Sequence, residues 1–505
     1  MKNSPSGDAP NAGGYGKAGL VIGALAFAVI LWLPVPAGLE PAAWRTAAVV
    51  VVLMAVWWVT EAIPIPATAL IPLVLFPLLG VADIGASAAP YAHKLVFLFL
   101  GGFMIALGMQ RWNLHRRIAL HLIGLVGRRP AGIVGGFMLA SAFLSMWVSN
   151  TATTLMMLPI GLSVIQLLLG ENPTDDRDSA NFATALMLGI AYADSIGGVA
   201  TLIGTPPNAF MAAFMSSNYG VEIGFGQWLM IGLPLAAVML PLAWLVLTRV
   251  VFPFRLDGAT ADGDVIAGEL RAMGPMSRGE RTVAVVFVLT AALWIFRPLV
   301  AEAVPGLNDT TIAMAGALAL FLIPVNLRKG VFALNWEWAK RLPWGVLILF
   351  GGGLTLASAI KTTGLAAWVG GATGGLEGAA ILLIVLAVTA LVIVLTELTS
   401  NTATTATFLP IVASVAVGLG ENPLMLVVPA ALAASYAFMM PVATPPNAIV
   451  FGSGHITIPQ MVRAGILLNM LGVAVITAFS YTVVMAVLGI EAGVAPDWAL
   501  GGDGG

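Results

Sequence analysis

Apolar runs fill most of this chain, and they limit its fold more than any other feature. Of the 505 residues, 59% are hydrophobic and 9% are charged, whereas soluble domains contain about 45–50% apolar residues. A helix needs about 20 apolar residues to cross a bilayer, and the runs leave room for about ten such helices. Helices also satisfy their backbone N–H and C=O groups internally, as a bilayer requires. The sequence therefore predicts an all-α polytopic membrane protein.

Several classes of protein are excluded by residues that the chain lacks. It contains no cysteine, which excludes a disulfide scaffold and thiolate metal or redox chemistry. The net charge of −2 says nothing about a partner, and no basic block suggests nucleic acid. A membrane-embedded enzyme would need a metal motif or a nucleophile with its base. No His-Glu-x-x-His motif occurs, and Asp194 has no clear aspartate partner, so we expect no enzyme.

Two copies of one polar hexad interrupt the apolar pattern. Ser149–Thr154 and Ser400–Thr405 both read Ser-Asn-Thr-Ala-Thr-Thr and lie 251 positions apart. Each hexad lies within an apolar block, 131–169 and 378–419, which we interpret as a re-entrant hairpin. Two full spans would also fill a block of about 40 residues. In both interpretations the chain leaves each block on the side where it entered.

A second repeated motif follows each hexad. Gly204–Asn208 and Ala443–Asn447 share the sequence Thr-Pro-Pro-Asn and lie 239 positions apart. Because proline lacks an N–H and suits the first turn of a helix, each motif predicts a helix break. Blocks 182–217 and 424–452 are thus predicted broken helices. Two further pairs keep the same order, which indicates an internal repeat: Leu100–Gly102 with Phe350–Gly352, and Gly170–Pro173 with Gly420–Pro423.

The distribution of Lys and Arg predicts the orientation. About 11 transmembrane helices plus the two hairpins give eleven crossings, with the N-terminus cytoplasmic and the C-terminus external. Eighteen of the 22 Lys and Arg residues then lie on or next to the cytoplasmic side, leaving Arg45, Lys94, Arg297 and Lys361 outside. The hexad blocks are separated by five crossings, an odd number. They therefore enter from opposite faces, which predicts an inverted repeat.

The predicted organisation follows this repeat. It comprises a cytoplasmic tail 1–18, a first repeat 19–253, a cytoplasmic linker 254–282, a second repeat 283–490 and an external tail 491–505. Four half-helix N-termini that converge on one point would supply partial positive charge to an anion without a buried Lys or Arg. Free carbonyls of the unwound segments, together with Ser, Thr and Asn oxygens, suit a hard cation such as Na⁺.

The paired Ser-Asn-Thr hexads and Thr-Pro-Pro-Asn segments resemble those of the divalent anion/sodium symporter family, which includes bacterial dicarboxylate carriers and mammalian di- and tricarboxylate or sulfate carriers. The resemblance extends from the first helix to about residue 490. It implies a homodimer in which a scaffold domain fixes the dimer and a transport domain carries the substrate site across the bilayer in an elevator motion. The implied activity is secondary active transport across the inner (plasma) membrane.

The same resemblance assigns roles to individual residues. The residues implied to contact a substrate anion are Asn150, Thr151, Thr205, Pro206, Asn401, Thr402, Thr444 and Pro445. Two Na⁺ sites are implied, the first formed by Ser145, Ser149, Asn150 and the carbonyl of Gly204, and the second by Thr396, Asn401 and the carbonyls of Thr399 and Ala443. The internal repeat agrees, because a hydroxyl stands five residues before each Asn, in Ser145 and in Thr396.

The substrate and the coupling are left open at this point. A C4-dicarboxylate such as succinate, fumarate or malate is favoured, because nothing in the motifs adds positive charge for a third carboxylate. A citrate or sulfate carrier and a sodium-independent dicarboxylate exchanger are the alternatives. Glu61, Asp194 and Glu397 are carboxylates within or beside the spans, where such groups indicate function. Contact with a cation or proton, or a buried polar bond, is open for Asp194 and Glu397, and a cap is open for Glu61.

Overall fold

A computed structural model describes residues 14–126, 129–169, 176–256, 264–372 and 380–500. The predicted tail 1–18 and the motif Gly170–Pro173 therefore lie largely or wholly outside the described residues, as do parts of the predicted linker, second hairpin and external tail. Among the described residues, seven helical stretches are long and apolar enough to cross a membrane, and six shorter apolar helices accompany them. This confirms the predicted helical membrane class. The eleven crossings, the re-entrant hairpins and the elevator motion stay predictions.

The first half contains several short helices near its N-terminus and two longer helices on either side of residues 146–149. Its helices are α1 (Gly14–Trp32), α2 (Pro41–Ala47), α3 (Ala55–Thr60), α4 (Ile65–Thr68), α5 (Ile71–Leu79), α6 (Ile84–Ala88), α7 (Lys94–Arg111), α8 (Leu114–Leu125), α9 (Pro130–Ser145), α10 (Asn150–Leu169), α11 (Arg177–Gly198), α12 (Pro206–Tyr219) and α13 (Phe225–Leu245). A π-helical stretch, Ala48–Met54, joins α2 to α3. Another, Val246–Val251, extends α13.

The second half has a similar order of elements. Its helices are α14 (Asp264–Met273), α15 (Arg278–Ile295), α16 (Arg297–Val300), α17 (Asp309–Leu322), α18 (Trp336–Ala339), α19 (Trp344–Thr362), α20 (Leu365–Gly371), α21 (Ile381–Thr396), α22 (Asn401–Gly418), α23 (Leu424–Ala433), α24 (Pro445–Phe451), α25 (Ile458–Phe479) and α26 (Met485–Leu488). A small antiparallel pair of strands, β1 (Pro324–Asn326) and β2 (Val331–Phe332), stands between α17 and α18.

Each hexad lies at the start of the second helix of a helical hairpin. The four residues 146–149 join α9 to α10, and 397–400 join α21 to α22. α10 begins at Asn150 and α22 begins at Asn401, the same position of the hexad. Ser400 has extended backbone angles, φ −62° and ψ 130°, as an N-cap residue requires. The polar hexads thus place an Asn side chain at the first turn of a helix in both halves.

Each Thr-Pro-Pro-Asn motif begins a helix after an unwound segment. α11 ends at Gly198 and α12 starts at Pro206, while α23 ends at Ala433 and α24 starts at Pro445. The threonines before the prolines have nearly identical extended angles, with φ −142° at both. The unwound segments have seven residues in the first half and eleven in the second. Both breaks follow from proline, which fits the first helical turn but not its interior.

The two helices that precede these breaks form the centre of the molecule. Every residue from Phe182 to Gly198 is buried in α11, and every residue of α23 is buried. Helices that are apolar on all sides are expected to lie in the protein interior and not against solvent. The first unwound segment, 199–205, is buried throughout, so its backbone groups need partners within the protein, whereas the second is buried at 434–438 and reaches an exposed position at Val442.

Close packing of α9 against α11 depends on Gly197. A Cβ atom at Gly197 would lie 2.1 Å from the main-chain oxygen of Ala142 and 2.4 Å from its Cα. Since backbone cannot move aside easily, we expect Gly197→Ala to lower the unfolding free energy by about 1–3 kcal/mol. Gly124→Ala is the matched control, because a Cβ there meets nothing within 4 Å. Thermal unfolding in detergent measures both, and equal melting temperatures would contradict the packing argument.

The predicted charged linker contains a helix and ion pairs that were not predicted from the sequence. α14 lies within it, and Arg116 of α8 pairs with Glu269 of α14 at 2.5 Å. Arg117 pairs with Glu280 at 2.8 Å. Ser277 and Glu280 form a capping box at the start of α15. The Ser-x-x-Glu pattern before an apolar run was the signal that could have located this helix start.

Candidate substrate and cation site

One large cavity brings the two hexads and the two Thr-Pro-Pro-Asn motifs together. Its volume is about 1690 Å³. All eight residues assigned to the substrate line it: Asn150, Thr151, Thr205, Pro206, Asn401, Thr402, Thr444 and Pro445. Ser149, Gly204, Thr399 and Ala443 line it too. Ser145 and Thr396 are fully buried behind this surface. The structure thus assembles motifs from both halves into one surface.

Helix N-termini meet this cavity in both halves. α10, α12 and α22 each begin at a residue that lines it, and so does the short helix α24. The first N–H groups of a helix have no partner within the helix and carry partial positive charge. Thr444 satisfies one of them, because its hydroxyl accepts from the N–H of Asn447 at 3.3 Å. The first two residues of α12 and α24 are prolines, which have no N–H, so the free donors at the cavity come from the first turns of α10 and α22 and suit an anion.

The charged side chains that line the cavity lie outside the repeated motifs. They are Glu61 and Arg341, and among the lining residues Arg341 is the only basic one. The guanidinium carbon of Arg341 lies 4.1 Å from the centre of the Trp338 ring, a cation–π arrangement. Glu61 is the C-cap of α3 and adopts left-handed backbone angles, with φ 46°. The wall formed by the repeated motifs contains no charged side chain among its lining residues.

A compact group of oxygen atoms surrounds Ser145. Its hydroxyl lies 2.5 Å from Oδ1 of Asn150 and 2.7 Å from the main-chain oxygen of Asp194. A hydroxyl has one proton and can donate it to one acceptor at a time. A Cβ atom at Gly198 would meet Oδ1 of Asn150 at 3.1 Å and the carbonyl oxygen of Gly204 at 3.4 Å, so these oxygens face a glycine that leaves them uncovered. This surplus of oxygen over protons fits a cation.

The second half repeats the arrangement around Thr396. Its hydroxyl lies 2.8 Å from Oδ1 of Asn401 and 2.8 Å from the main-chain oxygen of Ala434. The serine of the first group is replaced by threonine, and the carbonyl of Asp194 by that of Ala434. Each hydroxyl again has two acceptors for a single proton. The residues present fit a hard monovalent cation such as Na⁺ in both places.

Other buried polar contacts are shared between the halves. Thr154 donates to the main-chain oxygen of Asn150 at 2.9 Å, and Thr405 donates to that of Asn401 at 2.7 Å. The amide of Asn208 donates to the carbonyl of Thr201 at 2.8 Å and closes the first unwound segment. That of Asn447 donates to Ala437 and Met440 in the second. The oxygen Oδ1 of each of these two asparagines has no hydrogen-bond partner among the described residues.

Two assigned cation residues make local contacts. Ser149 accepts a hydrogen bond from the N–H of Ala152 at 3.4 Å, at the start of α10. The Thr399 hydroxyl donates to the carbonyl of Leu395 at 2.9 Å and lies 2.5 Å from that of Thr404. The carbonyls of Asp194 and Ala434, in contrast, were not assigned from the sequence. An offset of 240 positions relates them, close to the 239 of the neighbouring motifs, and this was the available signal.

Glu397 holds the longer unwound segment in place. Its carboxylate accepts from the N–H groups of Phe438 at 2.7 Å, Met439 at 2.9 Å and Met440 at 3.0 Å. Asn469 of α25 donates to it as well, at 2.7 Å. The side chain is 4% exposed. The sequence left open whether Glu397 contacts a cation or proton or forms a buried polar bond, and the structure shows the buried polar contacts.

The central cavity is lined by a motif pair from each half of the chain. Together with the family match and the named relatives, this makes the chain a helical membrane transporter and not an enzyme. The chain belongs to the divalent anion/sodium symporter family, since the family model described as "Sodium:sulfate symporter transmembrane region" matches residues 17–489.

Similar proteins agree with this family. A relative from Staphylococcus aureus (strain USA300), named sodium-dependent dicarboxylate transporter SdcS, is 43% identical over 481 residues, which cover 94% of this chain and 92% of the relative. The protein of the same name from Staphylococcus saprophyticus is 44% identical over 479 residues, with the same coverage.

Solved structures share the fold at much lower identity. The YdaH transporter of Alcanivorax borkumensis aligns with a TM-score of 0.57 at 12% identity, over 86% of this chain and 98% of that one. MtrF of Neisseria gonorrhoeae, described in terms of antimetabolite efflux pumps, aligns with a TM-score of 0.56 at 12% identity, over 94% and 95%. Both similarities concern the fold alone.

Proposed function

We propose that this protein is a secondary active transporter that carries a C4-dicarboxylate across the inner membrane together with Na⁺. The observation that carries the proposal is the single cavity lined by all eight assigned substrate residues, with an oxygen cluster behind each Asn. Relatives at 43% and 44% identity are named sodium-dependent dicarboxylate transporters. Succinate, fumarate and malate are the substrates we expect.

The donor groups of the cavity support an anion with two separated charges. Asn150 and Asn401 both contribute side chains to the cavity from the first residue of a helix. One carboxylate can contact the first-half motifs and the other the second-half motifs, each at helix N-termini where anions bind. A third carboxylate, as in citrate, would find no additional basic group among these motifs. The single arginine that lines the cavity, Arg341, lies outside them in the sequence.

The oxygen clusters support Na⁺ coupling over exchange. A sodium-independent exchanger has no need for three oxygens around one hydroxyl proton, yet Ser145 and Thr396 both stand in such a group. Asn150 and Asn401 take part in the clusters and also line the cavity. Filling the two cation sites would therefore orient the side chains that meet the substrate. This linkage is the physical basis of the symport that we propose.

The size and the lining of the cavity support alternating access. A volume of about 1690 Å³ exceeds the roughly 300–1,000 Å³ of ordinary small-molecule pockets, as an open vestibule would. Gly16, Glu61 and Arg341 line it, and the predicted topology assigns all three to the cytoplasmic side. We therefore infer an inward-open form. Movement of the motif-bearing wall past a fixed, dimeric scaffold would expose the same site outside, as in an elevator mechanism.

Uptake into proteoliposomes tests the proposal. Purified protein is reconstituted, and labelled succinate is added outside under an imposed inward Na⁺ gradient, with choline chloride replacing NaCl in the control. We expect uptake that depends on the Na⁺ gradient and that unlabelled fumarate and malate inhibit. Labelled sulfate and citrate are measured in parallel under the same gradient.

Each alternative predicts a different result in this assay. Uptake that needs succinate inside the vesicles and ignores Na⁺ would show an exchanger. Faster uptake of sulfate or citrate than of succinate would change the substrate. Flux at channel rates without any gradient coupling would contradict a carrier of either kind.

A further inference from the structure

Asp194 is a buried carboxylate that the repeat places beside one cation cluster and not beside the other. Its main-chain oxygen accepts from Ser145 at 2.7 Å, and its Oδ2 is hydrogen-bonded to the hydroxyl of Thr154. Thr154 in turn lies 2.9 Å from the main-chain oxygen of Asn150. Asp194 is thus connected to Asn150 twice, once through each neighbouring hydroxyl.

The second half shows what the same scaffold does without a carboxylate. Ala434 occupies the position of Asp194, and its carbonyl accepts from Thr396 in the same way. The Thr405 hydroxyl lies 2.7 Å from the main-chain oxygen of Asn401, as the Thr154 hydroxyl lies 2.9 Å from that of Asn150. The Asp194 side chain is therefore not needed to build the cluster. It adds a carboxyl group, which carries one negative charge when ionised, to a geometry that forms without it.

No basic group balances that charge in the described part of the chain. Asp194 is 0% exposed, and its Oδ1 has no hydrogen-bond partner. The four helices that pack on α11, namely α9, α10, α13 and α24, contain no Lys, Arg, His, Asp or Glu. The π-helical stretch that also contacts α11 carries Arg249, which is exposed. A buried, unpaired carboxylate is costly unless a cation compensates it.

We propose that Asp194 is the counter-charge of the first Na⁺ site and makes this site bind Na⁺ more tightly than the second. The inference rests on the proposed function, since it assigns a role at one of its two cation sites. Asp194 acts through the field of its carboxylate and through Thr154, so it is a positioning residue. The first site then pairs Na⁺ with a formal negative charge, while the second holds it with neutral oxygens alone.

Na⁺ binding without substrate tests the inference. Purified protein is melted at increasing NaCl, with choline chloride keeping the ionic strength constant, and the Na⁺ concentration at half-maximal stabilisation is determined. A unit charge about 6 Å away, at an effective dielectric constant of about 20, changes binding by about a hundredfold. We expect Asp194→Asn to raise this concentration at least about tenfold, and Asp194→Glu, which keeps the charge, to stay closer to wild type.

Asp178→Asn is the matched control, because Asp178 lies in the first turn of the same helix. This variant should reach half-maximal stabilisation at the same Na⁺ concentration as wild type. A merely structural role would shift the melting temperature equally in NaCl and choline chloride and leave the Na⁺ midpoint unchanged, which would overturn the inference. If Asp194→Asn does not fold, Thr154→Val provides the second test. It removes the hydroxyl that holds the carboxylate, and an unchanged Na⁺ midpoint there would equally overturn it.

Failure of this inference can be told apart from failure of the proposed function. Wild-type protein that Na⁺ stabilises and drives, with an unchanged midpoint in Asp194→Asn, overturns the role of Asp194 alone. Wild-type protein that shows neither Na⁺ stabilisation nor Na⁺-driven uptake overturns both.

Discussion

Asn150→Ala and Asn401→Ala each lose Na⁺-driven dicarboxylate uptake, by at least about a hundredfold. Each side chain contributes its oxygen to one of the two oxygen clusters that we propose bind Na⁺, and each residue lines the cavity that we propose binds the substrate. Hydrogen bonds to charged groups are worth about 1.5–3 kcal/mol each, and every variant loses contacts to both ligands. Na⁺ dependence and substrate uptake therefore disappear together. Initial rates of labelled succinate uptake, normalised to reconstituted protein, measure the effect.

The same change at an exposed asparagine provides the control. Asn308 caps α17 and accepts from the N–H of Thr311 at 2.9 Å, far along the chain from either hexad. Asn308→Ala should keep the Na⁺ dependence of wild type. If Asn150→Ala or Asn401→Ala retained normal Na⁺ stimulation and showed only a higher KM for succinate, the shared role of the side chain would be wrong.

Glu397→Gln destabilises the protein by about 3 kcal/mol or more. The carboxylate accepts from three consecutive backbone N–H groups and from Asn469. An amide in its place turns one acceptor oxygen into a donor, which faces the N–H groups of Met439 and Met440. A buried polar group without a partner costs about 1–3 kcal/mol, and more when the group is charged. The longer unwound segment would lose its main support.

Thermal unfolding of purified protein measures this change. Glu337→Gln is the matched control, because the Glu337 side chain is 75% exposed and pairs with Lys340 on the surface. Surface substitutions of this kind usually stay within about 0.5 kcal/mol. Equal melting temperatures for the two variants would contradict the support that we assign to Glu397.

The helical class and the lining of the cavity could be predicted from the sequence because the residues that mark them are energetically unfavourable within a membrane unless the fold compensates them. Polar hexads within apolar runs, and prolines within long helical blocks, need a physical reason at membrane depth. Their repetition then related Asn150 to Asn401 and Thr205 to Thr444. All four line one cavity. Pairs of identical motifs thus indicate which residues of the two halves lie in one site, even when the path of the chain between them is unknown.

Contacts made by backbone atoms could not be predicted in the same way. Every residue has a carbonyl, so no side-chain pattern marks those of Asp194 and Ala434 as partners of Ser145 and Thr396, and only their offset of 240 positions relates them. The different lengths of the two unwound segments could not be predicted either, because no residue type marks the end of α23 in the way that proline marks the start of α24. Glu397 accepts a hydrogen bond from Asn469, which lies 72 positions further along the chain, and no local sequence pattern predicts such a tertiary contact.

The use of main-chain oxygens at positions 194 and 434 has a consequence for how such proteins can diverge. A carbonyl is present whichever amino acid occupies the position, so substitution there leaves the hydrogen bond to the neighbouring hydroxyl in place. Asp194 and Ala434 already illustrate two different side chains on one backbone geometry. Mutation at these two positions can therefore alter the local electric field while the oxygen framework stays fixed. At the two proposed cation sites, ion affinity can thus change gradually in evolution without a rebuilding of the site.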